Sequence, residues 1–140
     1  MNYRGISLSR DFEISKLFSV HYFEYMSDFF FPGEAHDFWE LLCVDRGEVE
    51  VTADSHHYTL KRGEIIFHKP NEFHGLKANG TVAPNLVVIS FRCLSPAMSF
   101  FEEKILTIGE IEKNLLASII IEAKNAFSSK SCWKYIPAKG

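Results

Sequence analysis

Three residues stand at spacings that let them do chemistry together: His36 and Glu40, within His36-x3-Glu40-x6-Gly47, and His74, within Gly63-x6-Pro70-x3-His74. Two imidazoles and a carboxylate converging on one cavity make the 2-His-1-carboxylate set that holds a divalent metal. Without a metal, the same groups would hydrogen-bond one another or a polar ligand, because buried polar groups must be paired. His36 and Glu40 are an even number of residues apart, so on a strand both side chains point to one face. Glu34 shares that parity, and His74 would approach from another strand. The widest metal set is therefore Glu34, His36, Glu40 and His74.

Short strands must position these groups. Leu17 to Met26 is β-branched and aromatic, with Phe18, Val20 and Tyr22 on one face and Ser19, His21, Phe23 and Tyr25 on the other. Phe31-Pro32-Gly33 reads as a break. His36 to Asp45 is apolar on both parities, so both of its faces must be covered. Val49, Val51 and Ala53 alternate with polar residues in the period-2 pattern of a half-buried strand. Asp54-Ser55-His56 is read as the turn into Tyr58–Leu60, Arg62-Gly63 as a second turn, and Ile65–His68, His74–Ala78 and Asn85–Cys93 as further strands. Strands every 8 to 12 residues or so, with turn signals between them, predict an antiparallel sandwich or barrel.

After Ser95 the period changes. Thr107-Ile108-Gly109-Glu110 has the capping-box pattern, and Glu110–Phe127 is predicted as one helix. Ile111, Leu115, Leu116, Ile119, Ile120, Ala123 and Phe127 form a broad apolar face expected to dock on the strands. Ala117 and Ile121 fall on the opposite side, as stray surface hydrophobes or as a contact with a partner subunit. The division expected is a sheet domain over 1–107, the helix over 108–128 and an unplaced tail over 129–140, beginning with the linker-like Ser128-Ser129-Lys130-Ser131.

Composition sets limits. The chain has 140 residues, 46% hydrophobic and 24% charged, which suits one soluble domain with one core. A net charge of −3 with dispersed Lys and Arg lacks the basic stripe of a nucleic-acid binder, so no direct DNA binding is expected of this chain. Cys43, Cys93 and Cys132 are widely spaced and odd in number, which argues for a reducing compartment; the charged N-terminus lacks a secretory h-region, and no run is long enough to span a bilayer. A cytoplasmic location is expected. No basic neighbour activates any of the cysteines as a nucleophile.

Other residues are weighed against the same plan. Phe38 shares the motif's face and is preferred as an apolar pocket wall, whereas Trp39, of opposite parity, is read as core. His56 and His57 lie beside a turn and are expected at the surface. His68 fits either a pocket mouth or an exposed strand end, and His21 is equally open.

The two spaced motifs resemble the signatures of the cupin superfamily. Glu34 stands where metal-binding cupins have their first histidine, Asn71 replaces a glycine of the second motif's loop, and Ala78 replaces an asparagine after the final histidine. The stretch EIIFHKPNEFHGLKANG, then PNLVVISFRC and a helix, is similar to the N-terminal ligand-binding and dimerisation domain of AraC-type transcription regulators. That resemblance implies a mainly β, cupin-type antiparallel β-barrel (jelly roll) followed by a C-terminal helix. It implies a sensor of sugars or other small polar molecules that acts as a homodimer. Nothing after Phe127 supplies the helix-turn-helix half, which leaves an excised domain, a stand-alone sensor and a truncated gene all open.

The expectation is thus a ligand-binding module with His36, Phe38, Glu40 and His74 on the ligand, Ala117 and Ile121 at a dimer interface, and no cofactor. The rival is a stand-alone metal-dependent cupin enzyme, an isomerase or oxygenase, holding Fe, Mn or Zn. A purely structural module, with its interior filled by side chains, is the alternative to both.

Overall fold

In a computed structural model, residues 3–7 and 11–127 are described; the tail and linker expected after Phe127 lie outside them. The chain runs β1 (Ile14–Glu24), β2 (Phe30–Glu34), β3 (Trp39–Arg46), β4 (Glu48–Ala53), β5 (His56–Lys61), β6 (Glu64–His68), β7 (His74–Lys77), β8 (Asn85–Cys93), a 3-10 turn (Pro96–Phe101), β9 (Ile105–Thr107) and α1 (Glu110–Phe127). Two sheets result, ordered β1-β8-β3-β6-β9 and β2-β7-β4-β5.

The pairings nest. β1 pairs with β8, β2 with β7, β3 with β6 and β4 with β5, all antiparallel. This is a long hairpin folded over on itself, the double Greek key of a jelly roll. Among the described residues no strand pair joins the two sheets, so the expected barrel is an open two-sheet sandwich of cupin-like topology. The turn between β3 and β4 depends on Gly47, at φ +74°, where a Cβ would stand 2.9 Å from the Ala83 carbonyl oxygen.

β3 and β8 are apolar on both parities because both faces of their sheet are covered. Leu42, Val44, Ile66, Leu86 and Val88 meet Val49, Val51 and Leu60 of the other sheet in the interior. Trp39, Cys43, Val87, Ile89 and Phe91 form a second cluster outside, against α1. Trp39 is therefore core, as its parity predicts. At roughly 25 cal/mol per Å² of apolar surface removed from water, burial of this kind is the main force holding the layers.

Four local expectations are corrected. β1 begins at Ile14, three residues early. Phe31-Pro32-Gly33 is not a break but lies within β2, with a register shift between Phe31 and Glu34; β2 is an edge strand, where a bulge and a missing N–H are tolerated. Ile105–Thr107 adds a short strand beside β6, too short to show a period. The helix cap sits two residues later than predicted: the Gly109 N–H donates to Glu112 Oε1 at 3.0 Å, and the Lys113 N–H donates to the Gly109 carbonyl at 3.0 Å.

The docked face of α1 is also narrower than expected. Leu116, Ile120, Ala123 and Phe127 pack on the outer cluster, while Ile111, Leu115 and Ile119 are exposed. One stripe of the helix meets the sheet, and the rest of its apolar arc stays exposed. No helix among the described residues is long and apolar enough to cross a membrane.

Candidate functional site

The strand registers build the site in two rows. On one sheet Glu40 of β3 lies directly between Ser90 of β8 and His68 of β6. On the other, Glu34 of β2 lies opposite His74 of β7. Side chains directly opposite across strands stand about 4.5 to 5.5 Å apart at Cβ, so each row is a set of touching neighbours. The rows bound a cavity of about 360 Å³ between the sheets. Gly75 lets the backbone close in there, since a Cβ on it would stand 2.9 Å from the Pro32 carbonyl oxygen.

His36 joins them by another route than predicted. It lies in the loop before β3, so strand parity does not place it. The loop is held by the Asn71 N–H, which donates to the His36 carbonyl at 2.7 Å. Asn71 has φ +67°, the left-handed conformation that glycine adopts freely and asparagine tolerates. That accounts for asparagine at a position where glycine is usual.

Glu34, His36, Glu40 and His74 each offer a donor atom within 4.8 Å of the others. His36 Nε2 is 3.4 Å from Glu40 Oε1, to which the Ser90 hydroxyl donates at 3.3 Å. His74 Nε2 is 3.2 Å from Glu40 Oε2, yet it lies off the direction of a hydrogen bond and, buried, has no hydrogen-bond partner among the described residues. The opposite ring nitrogens are occupied: His36 Nδ1 donates to the Phe38 carbonyl at 3.0 Å and His74 Nδ1 to the Glu72 carbonyl at 3.0 Å. Carbonyl oxygens only accept, so Nδ1 carries the proton in both rings, and in the neutral form each Nε2 keeps a lone pair facing the cavity.

Electrostatics follow from this crowding. Burial opposes ionisation of Glu40, but contact with His74 and the nearby His68 and His36 outweigh it, holding the carboxyl below the ordinary carboxylate range. Burial likewise disfavours the His74 cation, and contact with Glu40, helped by the Glu72 carbonyl and Glu34, raises its pKa above the ordinary value. Each group therefore favours the charged form of the other across the 3.2 Å contact between Glu40 Oε2 and His74 Nε2.

Two further groups complete the polar layer. His68 is buried, and its Nδ1 donates to Glu72 Oε1 at 2.8 Å. Its ring stacks on His74 at 4.6 Å. His68 therefore lines the cavity rather than the surface, and Glu72 is the polar partner that sequence reading missed. The only sequence signal for that pair was its i, i+4 spacing across a proline loop, which resembles an ordinary surface pair.

Phe38 stacks on His36 at 3.9 Å and on Phe18 at 4.0 Å, and it lines the cavity. Phe23, Tyr25, Phe29 and Phe31 make an apolar wall that had not been singled out. Its signal was present: Ser19, His21 and Phe23 of β1 and Tyr25 just after it share a parity, and all four face the cavity. His56 and His57 are exposed, as expected. Ala117 lies over a crevice beside Cys43 and Ile120, and Ile121 is 58% exposed.

The two sheets form a jelly roll with a polar cluster sunk between them. The model of the AraC-like ligand binding domain matches residues 17–111. The chain belongs to that family. No curated protein matches it significantly in sequence. Among solved structures it is similar to ToxT from Vibrio cholerae, determined with an unsaturated fatty acid bound, at 10% identity over 76% of this chain and 47% of ToxT, TM-score 0.51. It is also similar to the Cnp3 cupin domain of Schizosaccharomyces pombe, at 15% identity over 63% of this chain and 65% of that one, TM-score 0.47. A cupin 2 domain-containing protein from Halorhodospira halophila gives 18% identity over 69% and 62%, TM-score 0.46. Each of the three is matched over less than two thirds of its own length.

Proposed function

We propose that this chain is the effector-binding module of an AraC-type transcription regulator and that it does no chemistry on its ligand. The observation that carries this is the cavity itself: about 360 Å³ between the sheets of a ligand-binding-domain fold, with a buried His74 nitrogen at its polar end that makes no hydrogen bond among the described residues. A module serving only as structure would fill that space with side chains. His36, Glu40 and His74 bind the polar part of the effector, and Phe38 packs against its apolar part. A cavity of this size lies in the range of about 300 to 1,000 Å³ usual for small-molecule sites.

Homodimerisation through α1 belongs to the same reading. Ile111, Leu115 and Ile119 make an exposed apolar stripe continuous with Leu17, and this stripe supports a subunit contact better than Ala117 and Ile121 do. An effector shifts such an assembly only if it binds the two states with different affinity.

The test is a thermal-shift screen of small molecules on the purified chain, followed by titration of each hit. A ligand at 100 times its Kd stabilises the folded state by about 2.7 kcal/mol. His36→Ala and Glu40→Ala are each expected to weaken a hit at least tenfold. Unchanged affinity in both variants would remove the cavity as the effector site.

One observation favours a second reading. Glu34, His36, Glu40 and His74 offer two imidazoles and two carboxylates, a donor set that suits Fe, Mn or Zn. On this reading the chain is a metal-dependent cupin enzyme. Elemental analysis after growth in metal-supplemented medium decides it: stoichiometric metal lost in His74→Ala supports the enzyme, and less than a tenth of an equivalent supports the sensor.

A further inference from the structure

Resting on the sensor reading above, we infer that the cavity takes an organic ammonium ion: a small molecule with a protonated amine at one end and an aromatic or aliphatic body at the other.

The argument begins with charge. Among the described residues, two carboxylates, Glu34 and Glu40, line the cavity, and no Lys or Arg does. Arg92, near the Phe18–Phe38 stack, is engaged with Asp37 at 3.4 Å and lies over the Phe18 ring instead of entering the cavity. The histidines supply at most a partial balance, since the one ring of His74 faces both Glu40 at 3.2 Å and Glu34 across the strand pair. The Ser19, Tyr25 and Ser90 hydroxyls and the His21 and His68 rings also line the cavity, Ser90 donating to Glu40, but among the described residues no permanently charged cation faces the two carboxylates there. A carboxylate ligand would have to be buried beside two carboxylates, which desolvation and like-charge repulsion both disfavour. An ammonium brings three N–H donors and one positive charge.

Geometry agrees. Four atoms no more than 4.8 Å from one another all lie within about 2.9 Å of some common point, which is an N–H···O hydrogen-bond distance. One ammonium nitrogen there reaches Glu40, His74 and Glu34 together. His74 Nε2, buried without a hydrogen bond, accepts from the ammonium once its own proton is released to solvent. A bare metal ion would satisfy the same atoms but would leave the rest of the cavity unfilled. That remainder is walled by Phe23, Tyr25, Phe29 and Phe31, rings that pack on an apolar body and whose faces attract a cation.

The experiment uses the full chain, freed of metal by chelator and dialysis, and three matched probes: 3-phenylpropylamine, 3-phenylpropan-1-ol and 3-phenylpropionate, titrated by calorimetry at pH 7. The amine is expected to bind at least tenfold more tightly than the alcohol, with the carboxylate weakest. Glu34→Gln, at an exposed position that leaves the core untouched, is expected to cut the amine-to-alcohol ratio at least threefold, and Glu40→Gln to cut it further. Ser19→Trp, which fills the cavity, is expected to abolish binding of all three. A carboxylate that binds best, or a ratio unmoved by both glutamate variants, overturns the ammonium inference; if Ser19→Trp still abolishes binding, the cavity stands as a ligand site. Binding that survives Ser19→Trp, or no binding by any probe, overturns both.

Discussion

The two ends of the space between the sheets are built from the same strands and opposite chemistry. Along β3 the inward residues run Glu40, Leu42, Val44; along β8 they run Ser90, Val88, Leu86; along β6, His68 and then Ile66. One step of two residues in each strand changes the interior from polar to apolar. The apolar end is closed by Val49, Val51 and Leu60, whereas the polar end encloses the cavity with His36 and His74. A scaffold can thus carry a hydrated or ligand-filled layer without losing its core, provided that the polar groups are confined to one level and each finds a partner.

The largest effect should come from the filled end. Leu60, 0% exposed, is packed in the interior cluster away from the cavity lining, and Leu60→Ala is expected to cost about 2–5 kcal/mol of unfolding free energy in a urea titration. Loss of less than about 1 kcal/mol would mean that the filled end is no better packed than the cavity end. Glu72→Ala, at the polar end, strips the buried His68 of its hydrogen-bonding carboxylate and should cost about 1.5–3 kcal/mol, as expected for a hydrogen bond to a charged group.

The pair Glu40–His74 gives a pH signature. The raised pKa of His74 contributes stability that is complete below its ordinary value of 6.5 and is lost as pH rises through the folded value. The lowered pKa of Glu40 contributes stability present above its ordinary value of 4.5 and lost as pH falls through the folded value. The stability difference between wild type and His74→Gln should therefore be greatest between about pH 4.5 and 6.5 and shrink on both sides. A difference flat from pH 4 to 9 would show that the pair is not ionised. Smallest in stability is Ile119→Lys on the exposed stripe of α1, expected within about 0.5 kcal/mol. Sedimentation velocity on the same variant reports the subunit contact: a monomer where wild type is a dimer is the expected result.

Much of this was legible because period-2 patterns report burial directly. The double-sided apolar runs of β3 and β8 announced a sheet covered on both faces, and Trp39 against Phe38 was sorted by parity alone. β2 was not legible, because Pro32-Gly33 is a turn signal in sequence and becomes a bulged edge strand only when β7 offers partners. The breadth of the docked helix face failed for a related reason: a helical period shows which residues are apolar, not how wide a surface waits for them.

The candidate site divides the same way. His36, Glu40 and His74 were found by residue type and spacing, but His36 reaches the cluster through a loop bond to Asn71, which no periodicity encodes. The buried His68–Glu72 pair was read as undecided or overlooked. The jelly roll brings β3, β6 and β8 side by side and lays β2 and β7 across from them, so residues up to 50 positions apart, such as Glu40 and Ser90, become neighbours.

The sequence by itself determined the class of fold, the β-to-α order, the faces of the long strands and the three residues most able to act together. These are local or periodic properties, set by side-chain volume, polarity and backbone freedom. Only the tertiary structure decided that the polar residues share one level, that a cavity remains there, that Phe23, Tyr25, Phe29 and Phe31 wall it, and that His74 keeps a buried nitrogen without a hydrogen bond among the described residues. Those depend on strand register between segments distant in the chain, and register is fixed by the whole core at once.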